Sequence, residues 1–159
     1  MDFQINLNTE TVDECCSSGP LCLAPTDTVA EAMRRMKERN RGAALVCHNQ
    51  MVVGIFTERD ALAMMATAMI SGAANFEVPL ERAMTPNPTV LRAGDTVGKA
   101  ITLMAKGGYR RLPIVDDRGQ PTGFVKAESI MHYLAEHFPK VIYTLPPKPH
   151  STTQAREGA

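Results

Sequence analysis

The sequence predicts an α/β (α+β) fold: two tandem β-α-β-β-α repeats packed through their sheets with pseudo-twofold symmetry. Three observations carry this reading. The chain matches itself when slid by 68 residues, so that "GPLCLAPTDTVAEAMRRM" from Gly19 lies over "NPTVLRAGDTVGKAITLM" from Asn87. Within each copy the apolar period changes from helical to strand-like in the same order. A unit of roughly 60 residues buries too little apolar surface to be comfortable alone, so two copies should share a core.

Each copy opens with a short strand, around Leu21–Leu23 and Thr89–Leu91. A helix follows: Val29, Ala32, Met33 and Met36, then Val97, Ala100, Ile101 and Met104, stand at i, i+3, i+4, i+7. Thr28 with Glu31 fits a capping box at the first of these helices, and Asp27 is a rival cap. Next come two apolar strands joined by a polar turn, "AALVC" and "VVGIF" in one copy, "LPIVD" and "TGFV" in the other. Asp116, Asp117 and Gly119 read as hairpin-turn residues. A closing helix runs from Glu58 to about Ile70, and its counterpart from Glu128 to about Phe138. The expected boundaries are an extension over 1–11, repeat 1 over 12–71, a linker over 72–79, repeat 2 over 80–138 and an extended tail over 139–159, in which Val141, Ile142 and Tyr143 could dock.

Charge narrows the function. The chain holds 17 Lys+Arg against 17 Asp+Glu. Residues 12–71 carry six basic and seven acidic groups, and residues 72–138 carry eight and seven, so neither half has a nucleic-acid footprint. No apolar run approaches the roughly 18 residues of a membrane span, and the polar start is no signal peptide. A soluble, cytoplasmic protein is expected. "RRMKERNR" (Arg34 to Arg41) reads as a solvated helix face, with Arg41 as the exception beside a strand. The ten Met read as adaptable core filler. The four cysteines form no C-x-x-C pair, and His132 and His137 are split around their helix, which argues against a metal site. No nucleophile-base-orienter set, Walker loop or G-x-G-x-x-G can be assembled, so catalysis is not expected.

One stretch stands out, Gly54-Ile55-Phe56-Thr57-Glu58-Arg59-Asp60, where a strand ends and a helix begins. Thr57 holds the N-cap position beside the positive helix end, a natural place for phosphate or sugar oxygens. Asp60, three residues on, shares its face, and a carboxylate there can accept two hydrogen bonds from a ribose diol. A plain capping box, in which the two residues satisfy only their own backbone, explains the same spacing.

These segments resemble the CBS-domain pair, or Bateman module. The resemblance runs from about Val12 to Phe138 and rests on "AMTPNPTV", "DTV", "YRRLPIVD" and "GIFTERD". It implies a stand-alone, bacterial-type regulatory protein that binds an adenosine compound (AMP, ADP, ATP or S-adenosylmethionine) between its repeats and passes that state to a partner. It also implies a homodimer formed through helices, with no required cofactor. Carried over by motif, Thr57 and Asp60 hold the ribose, Ile55 lines the adenine side and Arg59 lies near phosphate. Arg110 and Arg111, before the "LP" of the second repeat, meet the phosphates across the junction. The second copy departs from the motif: Lys126 stands where Thr57 does and Ser129 where Asp60 does. Its cleft is therefore expected to be weak or empty, with Lys126 pointing a charge at a phosphate in the first. The alternatives are a ligand-free dimerisation scaffold, or a thiol or metal sensor using Cys15, Cys16, Cys22 and Cys47.

Overall fold

The computed structural model describes residues 7–13 and 19–137. Cys15, Cys16 and the tail residues Val141 to Tyr143 lie outside the described residues. Repeat 1 contains β1 (Cys22–Leu23), α1 (Val29–Glu38), β2 (Ala43–His48), β3 (Met51–Thr57) and α2 (Glu58–Ser71). A short helix, α3 (Leu80–Ala83), and β4 (Thr85–Pro86) follow. Repeat 2 contains β5 (Leu91–Arg92), α4 (Val97–Gly107), β6 (Arg111–Val115), β7 (Pro121–Lys126) and α5 (Ala127–His137).

The openings of the two repeats match bond by bond. Asp27 Oδ2 accepts from the Ala24 amide at 2.8 Å, and Asp95 Oδ2 from Arg92 at 2.8 Å. Thr28 Oγ1 caps α1 through the Glu31 amide and Thr96 Oγ1 caps α4 through the Lys99 amide, both at 3.1 Å. The rivalry between Thr28 and Asp27 is thus resolved by division of labour: Thr28 caps the helix and Asp27 closes the preceding turn. Glu31 does not complete a capping box, because its carboxylate is held by Arg34 and Arg35. With the Arg34–Glu38 pair, these make the basic stretch a solvated, ion-paired face of α1.

Two sheets result, ordered β1-β2-β3-β4 and β5-β6-β7. β1 runs parallel to β2, and β5 to β6, while each hairpin is antiparallel. The first hairpin turns at Asn49 and Gln50, with φ of 49° and 66°, the left-handed pair that a two-residue turn demands. In the second, Asp116 Oδ1 accepts from the Arg118 and Gln120 amides at 2.8 and 2.9 Å, the turn chemistry read from the sequence.

Strand alternation divides the residues of β2 between two cores. Ala44 and Val46 join Val29, Ala32, Phe56 and Leu80 in one cluster. Ala43 and Leu45 point the other way and pack with Phe124 of β7, flanked by Cys47, Val52 and Ile55. That last cluster is the seam between the sheets. The hairpin tips also meet there: Gln120 Nε2 donates to Gln50 Oε1 at 2.9 Å, and the Val52 amide to the Gly119 carbonyl at 3.3 Å.

The segment that precedes each repeat packs on the other one. The Val29 amide donates to the Val78 carbonyl at 3.0 Å, and the Val97 amide to the Glu10 carbonyl at 2.9 Å. Leu80, fully buried, sits in the first cluster, and Val12, fully buried, joins Leu91, Val97 and Leu112 in the second. Each such side chain contributes about 1.5–3 kcal/mol by leaving water. The exchange ties both repeats into one folding body.

The methionines depart from the core-filler reading. Met36 and Met104 are buried, but Met65 and Met69 are 42% and 86% exposed. With Leu62 and Ile70 they leave apolar groups of α2 in solvent. Among the described residues, no helix is long and apolar enough to cross a membrane.

Candidate functional site

Two strand ends bring the singled-out residues to the seam. In β3, Ile55 packs at the seam and Thr57, two residues on, shares its face. Thr57 pairs with Ala43, itself a seam residue. In β7, Phe124 lies at the seam, so Lys126 shares that face, and Lys126 pairs directly with Arg111 of β6.

Arg111 crosses from repeat 2 to repeat 1. Its guanidinium lies over Gly42: a Cβ built there would stand 2.6 Å from Nη1 and 2.8 Å from Nη2. Gly42 in turn accepts the Glu58 amide at 3.1 Å, at the first turn of α2. The cation is therefore next to the strand end that carries Thr57. Arg111 and Lys126 are like charges on directly opposed positions, an arrangement that is unfavourable unless an anion relieves it. Neither makes an ion pair among the described residues.

Thr57 and Asp60 form a full capping box. Asp60 Oδ2 accepts from the Thr57 amide at 2.8 Å and from Thr57 Oγ1 at 3.0 Å, while the Asp60 amide donates to Oγ1 at 3.4 Å. Asp60 Oδ1 carries no hydrogen bond among the described residues. Two amides of the first turn are already engaged, Glu58 by Gly42 and Asp60 by Thr57. An anion here must rely on side-chain cations more than on the free amides expected of the helix end.

Other singled-out residues are less closely tied. Arg59 is exposed on the first turn of α2, and Arg110 is exposed just before β6, its carbonyl accepting the Ala127 amide at 2.8 Å. No hydrogen bond or ion pair joins either side chain to Thr57 or Asp60. Arg41 lines a groove of about 520 Å³ between α1 and α2, with Met33, Leu62, Met65 and Glu58. In repeat 2, Lys126 and Ser129 border an open cleft of about 440 Å³ that includes His132, Tyr133 and His137. Ser129 makes no hydrogen bond of the kind that links Asp60 to Thr57. Among the described residues no group of three His, Cys, Asp or Glu could hold a metal.

The CBS domain matches twice, over residues 12–67 and 79–136. The chain belongs to the CBS-domain family. It is 30% identical over 128 residues to a 17.7 kDa protein of Acidianus ambivalens, covering 79% of this chain and 73% of that one. It is 34% identical over 109 residues to the CBS domain-containing protein CBSCBSPB1 of Arabidopsis thaliana, covering 67% of this chain but only 19% of the plant protein. Among solved structures, CBSX2 in complex with AMP superimposes with a TM-score of 0.67 at 22% identity, covering 80% of this chain and 97% of that one. The CBS domain pair of protein MJ0100, in complex with 5-methylthioadenosine and S-adenosyl-L-methionine, gives 0.68 at 22% identity, covering 80% and 98%. The fold is that of a CBS pair.

Proposed function

We propose that this CBS pair is a regulatory module, not an enzyme, that binds an adenosine-containing ligand at the seam beside repeat 1. The observation that carries the reading is the unrelieved pair Arg111 and Lys126, brought across the junction to the strand end capped by Thr57 and Asp60. Phosphate between those cations would remove their repulsion and form charge-assisted hydrogen bonds. The ribose diol would compete for Asp60, whose Oδ1 stands free and whose Oδ2 now holds Thr57. Ile55 offers an apolar surface for the base. Arg59 and Arg110 would approach the phosphates from the rim. The relatives in complex with AMP and with S-adenosyl-L-methionine support a ligand of this class.

Because the site draws on both repeats, a ligand favours the arrangement that closes the seam, and a partner protein would read that arrangement. The exposed Leu62, Met65, Met69 and Ile70 of α2 would serve a homodimer interface. Repeat 2 offers Lys126 and Ser129 in place of the Thr57–Asp60 box, so its own cleft would bind weakly. The test is calorimetric titration of AMP, ATP and S-adenosylmethionine into wild type and Asp60→Ala. One ligand per chain, lost or strongly weakened by Asp60→Ala, is the expected outcome. Absence of submillimolar binding by every adenosine compound would leave the dimerisation scaffold as the better reading.

A further inference from the structure

Cys22 and Cys47 take no part in the proposed ligand site, yet the fold brings them together. Both are free thiols, Cys22 exposed and Cys47 half-buried. The parallel register sets Cys22 opposite Leu45, and Cys47 lies two residues further along β2, so both side chains share the seam face. The two thiols are near enough on that face to perturb each other's ionisation. The neighbouring Cys47 thiol holds Cys22 down from 9.0 to about 7, against burial, which pushes it up. The Cys22 side chain and burial push Cys47 up. The pair gives up its first proton more readily than a lone thiol, with Cys22 the more exposed sulfur.

We propose that Cys22 is a peroxide-sensitive thiol and Cys47 its resolving partner, the two closing an intrachain disulfide between β1 and β2. The Cys22 thiolate attacks one oxygen of hydrogen peroxide; the O–O bond breaks, hydroxide leaves and takes up a proton, and Cys22 becomes a sulfenic acid. Cys47 sulfur then attacks Cys22 sulfur, the S–O bond breaks, and water leaves with the thiol proton. Two thiols have given up two electrons and two protons, and peroxide has become two waters. Positions two residues out of register on adjacent parallel strands lie about 8 Å apart at Cα, and a disulfide needs about 4.4–6.8 Å. β1 can supply the difference because it is two residues long and lies at the sheet edge.

The test uses the full chain carrying Cys15→Ser and Cys16→Ser, which leaves this pair as the remaining thiols. Hydrogen peroxide should take the free-thiol count from two to none, with a proteolytic fragment linking Cys22 to Cys47 and no dimer on a non-reducing gel. Cys47→Ser retains a hydroxyl donor but no resolving sulfur, so it should accumulate a sulfenic acid at Cys22 that dimedone captures. At pH 7 a thiol at about 7 holds about 50-fold more thiolate than one at 9.0. Lower intrinsic nucleophilicity removes about tenfold of that. Cys22 should therefore be alkylated about fivefold faster in wild type than in Cys47→Ala. Equal alkylation rates, thiols that survive peroxide, or a cross-link between chains would overturn the assignment. The same fragment mapped in the unsubstituted chain separates these outcomes from any misfolding of the variants.

Discussion

Gly42→Ala adds a methyl group where the Arg111 guanidinium now lies and removes no charge. The new Cβ would stand 2.6 and 2.8 Å from the two terminal nitrogens, closer than van der Waals contact allows. The obstructing atoms are the far end of a flexible side chain, so Arg111 swings away at little cost to folding. Gly42 has no left-handed φ, and Ala at such a position stabilises by about 0.4–1 kcal/mol through the unfolded chain. Ligand binding should suffer. One hydrogen bond to a charged group is worth about 1.5–3 kcal/mol, and each 1.4 kcal/mol is about tenfold in affinity. AMP binding should fall about ten- to hundredfold, while the urea midpoint stays level or rises. Adenosine, which has no phosphate, should bind as it does to wild type. The assay is paired calorimetry and urea unfolding on wild type, Gly42→Ala and Arg111→Ala. If Gly42→Ala binds AMP normally while Arg111→Ala does not, Gly42 is not what admits the cation. If neither substitution matters, Arg111 has no part in the site.

Other consequences follow from packing and charge. At Gly54, paired with Pro86 at the sheet edge, an added Cβ would overlap Met84 Sδ. Gly54→Ala should cost about 1–3 kcal/mol in urea unfolding, partly restored by Met84→Ala, because overpacking is relieved when the opposing side chain shrinks. Leu80→Ala should lose about 2–5 kcal/mol and shift NMR signals of repeat 1, and Val12→Ala should shift those of repeat 2, since each fills the core of the repeat it does not adjoin. Burial pushes Asp95 up, but the Arg92 amide and Lys99 together outweigh it and leave its carboxyl below 3.8. A depressed folded value contributes stability above the unfolded one, and that contribution disappears as pH falls below about 3.8. Asp95→Asn should therefore flatten the acid limb of the stability curve below that pH and lower stability above it.

Local signals in the sequence found the repeat and the capping geometry of the candidate site. The Asp-Thr-Val triplets mark two helix starts because both threonines cap, and the spacing of Thr57 and Asp60 is that of a capping box. Other features depend on contacts that no local pattern encodes. β4 is two residues long and exists through its pairing with β3. The exchange of Val12 and Leu80 between cores joins segments far apart in the chain. The juxtaposition of Cys22 and Cys47 on one face requires the β1–β2 register, which the sequence does not display. The methionine stripes of α1 and α4 were readable by period, but the exposed Met65 and Met69 were not, because α2 is nearly apolar all round. Gly42 carries no signal of its own in the sequence. Its role, leaving room for Arg111, follows from the approach of the second sheet.

The most direct test of the ligand site is the crystal structure of the AMP complex. The phosphate should lie between Arg111 and Lys126, the ribose hydroxyls should reach Asp60, and Thr57 should exchange its bond to Asp60 for one to the ligand. AMP seated instead beside Ser129, or away from the seam altogether, would contradict the assignment.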